Sequence, residues 1–87
     1  MSQPVTLLYF AWVREKVGRA REDVVLPPAV ATIADLIAWL RTRGPEYDLA
    51  FARANVIRSA INQTHVASEA SLEGAREIAF FPPVTGG

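Results

Sequence analysis

The alternation of β-forming runs with one helical stripe predicts an α+β domain in which a single main helix packs across a mixed sheet. Three observations carry that prediction. Residues 5–13 and 76–81 are dense in β-branched and aromatic side chains. Ile33, Leu36, Ile37 and Leu40 recur at i, i+3, i+4 and i+7, the spacing of one helix face. Paired prolines and glycine-bearing turns punctuate the runs between them. At 87 residues the chain is one domain with one core, burying only about 60–65% of its unfolded surface, which leaves little room for a large internal active site.

Val5 to Val13 reads as the first strand, and both of its alternating sets, Val5-Leu7-Tyr9-Ala11 and Thr6-Leu8-Phe10-Trp12, are largely apolar. Such a strand is either covered on both faces or shows one apolar face to a partner. Arg14 to Arg21, charged and containing Gly18, reads as a connection, and Val24-Val25-Leu26 as a short second strand stopped by Pro27-Pro28. The helix follows, opened by Thr32 and Asp35 at the spacing of a capping box. Arg41 and Arg43 suit the negative end of its dipole, and Gly44-Pro45 closes it. Trp39 lies beside the apolar stripe, as a residue packing at the helix edge. Residues 46–54 are a helical turn or an ordered loop. Val56 to Ala67 reads as a hairpin with Ile57 and Ile61 toward the core and Asn62-Gln63 at the turn. Leu72-Glu73-Gly74 marks another turn, and Arg76 to Phe81 is the last strand, with Ile78 and Phe80 on one face and Ala79 and Phe81 on the other.

Strand, strand, helix, then two or three strands fits a β-grasp arrangement: a mixed sheet of four to five strands with one main helix on one face. The first and last strands then lie side by side and parallel. The face away from the helix carries Phe10 and Phe81 together, and two adjacent exposed aromatics suggest an interface.

The most informative stretch comes last. After the apolar run Ile78 to Phe81, Pro82 and Pro83 can continue neither a helix nor a central strand. The chain thus divides into a domain, 1–81, and an extended tail, 82–87, ending in Gly86-Gly87. Fully extended, that tail reaches roughly 20 Å. Glycines without a Cβ can enter a slot too narrow for other residues, and the last group is a bare carboxylate. A terminal Gly-Gly by itself is also what a frayed chain end looks like. The rigid apolar strand aimed at it favours a tail built to enter a partner's pocket.

Composition removes several classes of function. Nine basic and nine acidic residues cancel, so nucleic acid and an anionic membrane are poor partners. No apolar run approaches the roughly 20 residues of a membrane span, and no signal pattern opens the chain; the expected compartment is the cytoplasm. Without cysteine there is no disulfide, zinc-thiolate site or thiol nucleophile. His65 is the single histidine, so no metal site is expected, and a surface-strand role suits it better than a catalytic one. No phosphate-cradling loop is present. If the terminal carboxylate reacts, another protein must activate it.

At Phe10-Ala11, Val13-Arg14-Glu15, Val17-Gly18, Asn62-Gln63-Thr64, Glu77-Ile78-Ala79 and above all Phe80-Phe81-Pro82-Pro83-Val84-Thr85-Gly86-Gly87, the chain resembles the small, sulfur-carrying subunits of molybdopterin synthases, a ubiquitin-like family. The resemblance spans nearly the whole chain. It implies that an E1-like adenylyltransferase activates the Gly87 carboxylate with ATP, that a sulfurtransferase or other persulfide donor turns it into a thiocarboxylate, and that the tail delivers sulfur to cyclic pyranopterin monophosphate inside the large subunit, within a heterotetramer. On this resemblance Gly87 is the reacting residue, Gly86 gives a thin, flexible approach, Val84 and Thr85 line the insertion tunnel, and Phe81, Phe10, Arg14 and His65 meet the partner. His65 stands where the family tends to be apolar. No cofactor is expected on this chain alone. Two other roles share the glycines: a ubiquitin-like protein modifier, and a sulfur carrier for thiamin or tRNA thiolation.

Overall fold

The computed structural model describes residues 3–83. Five strands form one sheet: β1 (Gln3–Tyr9), β2 (Arg21–Leu26), β3 (Arg58–Ile61), β4 (Thr64–Val66) and β5 (Glu77–Phe81). Their order across the sheet is β2-β1-β5-β3-β4. The first and last strands are central and parallel, with Leu7 opposite Ile78 and Tyr9 opposite Phe80, and the remaining pairings are antiparallel. Three helices accompany them, α1 (Ala11–Val17), α2 (Ile33–Arg41) and α3 (Pro45–Ala50), together with a short 3-10 turn at Ala54–Val56. This is the β-grasp order read from the sequence. Among the described residues no helix is long and apolar enough to cross a membrane.

α2 begins where the capping box places it. The Thr32 hydroxyl accepts from the Asp35 amide, and the Asp35 carboxylate accepts from the Thr32 amide, satisfying two amides that a helix start leaves without partners. Ile33, Leu36, Ile37 and Leu40 are all buried, against the inward residues Val5, Leu7, Tyr9, Ile78 and Phe80. An aromatic cluster fills the centre: Phe51 meets Phe80 edge-on at 5.1 Å, and Tyr9 stacks on Phe80 at 6.1 Å between ring centres. Trp39 packs at the helix edge, where the Arg43 guanidinium lies 5.2 Å over its ring.

The first strand is shorter than its composition suggests. It ends at Tyr9, and what reads as its continuation, followed by a connection, is α1. Ala11 sits at φ 53°, in the left-handed region that breaks an extended run. Val13 and Val17, four apart, then bury on one helix face, and Gly18 ends the helix at φ 89° with its amide bonded to the Arg14 carbonyl. Packing of those two valines overrides the strand preference of Trp12 and Val13. α2 ends at Arg41 with Thr42 as its C-cap, so Arg43 lies past its last turn and Gly44-Pro45 does not close it; Gly44 instead caps α3, whose first residue is Pro45. The hairpin turn is at Asn62-Gln63 as expected, both at positive φ, 49° and 71°. Ile57 is buried just ahead of β3, and Ile61 packs at the core margin.

Candidate functional site

All the helices leave one sheet face uncovered. Because alternate strand residues point to opposite sides, the residues out of phase with the core share that face, and the register aligns them in rows. One row crosses all five strands: Arg21, Leu8, Ala79, Ala60 and His65. The next row toward the exit of the last strand pairs Phe81 with Arg58. The His65 and Phe81 rings meet at 5.1 Å with 56° between their planes, although β3 separates their strands. They close over Ala60, which is buried although it faces outward. Toward the other end the face turns polar, with Thr6 donating to Asp23 at 2.7 Å and a depression of about 340 Å³ lined by Thr6, Arg21, Asn62 and Glu77. The apolar part therefore sits where β5 leaves the sheet.

Phe10 completes this edge, though not as a strand residue. It caps α1 in an extended conformation, and its amide donates to the Phe80 carbonyl at 3.1 Å, one step past the last register pair. Its side chain is 48% exposed. The expectation of Phe10 on the open sheet face is thus corrected: it flanks Phe81 from the start of a helix, because the strand has already ended. Arg14 is exposed on α1 beyond the sheet, so it is not part of the row that holds His65. Val84, Thr85, Gly86 and Gly87 lie outside the described residues, and Pro82 and Pro83 follow β5 with no further strand.

Behind the edge the scaffold is fixed by a polar knot that the sequence reading missed. Glu22, on the inward side of β2, accepts from the hydroxyls of Tyr9 and Tyr47 at 2.7 Å each and from the Arg43 guanidinium at 3.0 Å, with Arg19 at 3.4 Å. Burial opposes its charge, but the hydrogen bonds from Tyr47, Tyr9 and Arg43 outweigh that and hold its carboxyl below the ordinary glutamate range. Burial first, then the bond to Glu22, raises both tyrosine hydroxyls, so they stay neutral donors. The signal for this knot was its phase: Glu22 shares the inward parity of Val24 and Leu26.

The sequence profile of the ThiS family matches residues 7–87, from β1 through both closing glycines. This chain belongs to the ThiS family. Within reach of this ThiS-family chain are proteins named molybdopterin synthase sulfur carrier subunit. That of Haemophilus influenzae is 36% identical, with 95% of this chain and 99% of the relative covered. That of Escherichia coli is 35% identical over the same shares. Among solved structures, the small archaeal modifier protein 1 of Methanosarcina acetivorans superposes with a TM-score of 0.71 at 21% identity, covering 100% of this chain and 99% of that one. That likeness speaks for the fold. The ThiS-family match contains every residue expected at the docking edge, Phe10, Arg14, His65 and Phe81.

Proposed function

We propose that this chain is the sulfur carrier of molybdopterin synthase, working through the carboxylate of Gly87. The observation that carries the reading is the full-length similarity to relatives of that name, 36% identical across 95% of this chain, joined to a family match that runs through Gly87. The geometry supports it: a rigid central strand ends beside an apolar, partly exposed edge and continues into two prolines.

The chemistry follows from what a carboxylate lacks. Its oxygen is a poor leaving group, and the chain has no thiol and no nucleotide loop of its own. An E1-like enzyme supplies ATP: a Gly87 carboxylate oxygen attacks the α-phosphorus, pyrophosphate leaves, and an acyl adenylate forms. A persulfide donor then attacks the acyl carbon, AMP leaves, and reductive cleavage of the sulfur–sulfur bond by a donor thiol leaves a thiocarboxylate. Its sulfur is a softer nucleophile than oxygen. Gly86 gives a thin approach and Val84 and Thr85 line the tunnel of the large subunit, while Phe81, Phe10 and His65 dock the domain and Arg14 lies at the margin. Docking makes sulfur transfer to cyclic pyranopterin monophosphate effectively intramolecular, which lowers its entropic barrier. The complex works in the cytoplasm, with ATP consumed by the activating enzyme and no cofactor on this chain.

The test is reconstitution of sulfur transfer from purified carrier, activating enzyme, sulfur donor and large subunit. Product forms with the full chain and not with a Gly87 deletion. Product formation undiminished by that deletion contradicts the reading. Ladders of lysine conjugates that vanish on the same deletion assign the chain to protein modification instead.

A further inference from the structure

A second surface lies on the helix side of the same edge. A groove of about 320 Å³ between α1 and α3 has Trp12, Leu49, Ala50 and Val56 as its apolar lining. Leu49 is 61% exposed, the most exposed of the large apolar side chains among the described residues, although its neighbours Ala50 and Phe51 are buried. An outward leucine next to a part-exposed tryptophan contributes nothing to the core, and its exposure keeps apolar area in water.

The rim of the groove is cationic. Lys16 and Arg53 line it, and no carboxylate does. Among the described residues neither cation forms an ion pair, a state they share with Arg14, Arg58 and Arg76, whereas Arg19, Arg21, Arg41 and Arg43 are paired. In a chain whose charges sum to zero, two uncompensated cations beside an exposed apolar floor form a local site complementary to acidic, apolar structure.

Connectivity places the groove against the docking edge. Trp12 follows Phe10 by two residues, and Phe10 bonds the Phe80 backbone. Val56 precedes Arg58 by two residues, and Arg58 pairs with Phe81. The same partner can therefore cover Phe81 and Phe10 and reach round into the groove.

We infer that the α1–α3 groove receives an apolar side chain flanked by carboxylates from the large subunit, as a second anchor beside the open sheet face. This rests on the sulfur-carrier reading above. It gives the exposed Leu49 a partner that covers it. The contact is apolar at its centre, which sets affinity, and ionic at its rim, which sets approach and salt dependence.

The experiment titrates the full-length carrier into the purified large subunit by calorimetry at low and high salt. The variants are the double change Lys16→Glu with Arg53→Glu, and separately Leu49→Asn, each checked by melting temperature. The double variant is expected to bind about tenfold more weakly and to lose less affinity with added salt than the parent. Leu49→Asn is expected to weaken binding at both salt concentrations with its melting temperature unchanged. Parent-like affinity and salt slope in the double variant overturn the inference. So does a loss confined to the activating enzyme, titrated in parallel, because the occupant is then a different protein. Failure of the parent itself to bind the large subunit is a separate outcome, and it removes the sulfur-carrier reading together with this one.

Discussion

Glu22 and Phe81 separate holding the domain together from presenting it. Glu22 gathers two hydroxyls and a guanidinium from three other parts of the chain, so Glu22→Gln is expected to cost about 2–4 kcal/mol, since it leaves buried donors and a cation short of a charged acceptor. Chemical denaturation measures this directly. The pH dependence has a definite sign. The folded carboxyl titrates below its ordinary range, so its contribution is complete above about pH 4.3 and is lost as the pH falls through that range toward the lowered native value. Melting curves between about pH 7 and about pH 3 should show the parent converging on the Glu22→Gln variant at the acidic end. A constant gap across the series contradicts the assignment. Phe81 belongs to recognition: it is part-exposed and leans on His65 rather than on the core. Phe81→Ala is expected to weaken the large-subunit complex by about 2 kcal/mol or more while shifting the melting temperature little; calorimetry showing unchanged affinity contradicts this.

The hairpin turn shows how elements were legible and where they were not. Asn62 and Gln63 both adopt positive φ, which a two-residue turn between right-twisted strands requires. Asn tolerates this well, and Gln does not. Gln63→Gly is therefore expected to stabilise the domain by up to about 1 kcal/mol. Asn62 does more than turn: its side-chain oxygen accepts from the amides of Arg76 and Glu77 at 2.9 and 3.1 Å, and its amide group donates to the Gly74 carbonyl. Asn62→Ala should therefore loosen the entry to β5, read as faster amide exchange at Arg76 and Glu77. The turn, the capping box of α2 and the parallel pairing of first and last strands were readable because each rests on local residue chemistry or on chain order. α1 was not, because its strand-like Trp12-Val13 is made helical by burial of Val13 and Val17, a tertiary effect. The edge aromatics were legible as a pair, but the position of Phe10 depended on where β1 stops, and the knot around Glu22 on contacts between residues up to 25 apart.

At the scale of the whole molecule, one end concentrates what a partner would use. The central parallel strands both run toward it, Phe10, His65 and Phe81 border it, and the cationic groove lies behind it. Under the proposed function, the domain serves as a rigid holder for chemistry at Gly87. Removing Gly87 is expected to abolish sulfur transfer and leave the melting temperature close to that of the parent, as chain ends in general contribute little to stability; scanning calorimetry of the deletion checks that independence. The claim that the reactive group is the Gly87 carboxylate is tested most directly by intact-mass spectrometry of the full chain after incubation with the activating enzyme, ATP and a sulfur source. The account predicts a mass gain equal to exchange of one oxygen for sulfur, mapped to Gly87 and dependent on ATP. An unchanged mass under conditions in which the enzyme activates a known carrier contradicts it.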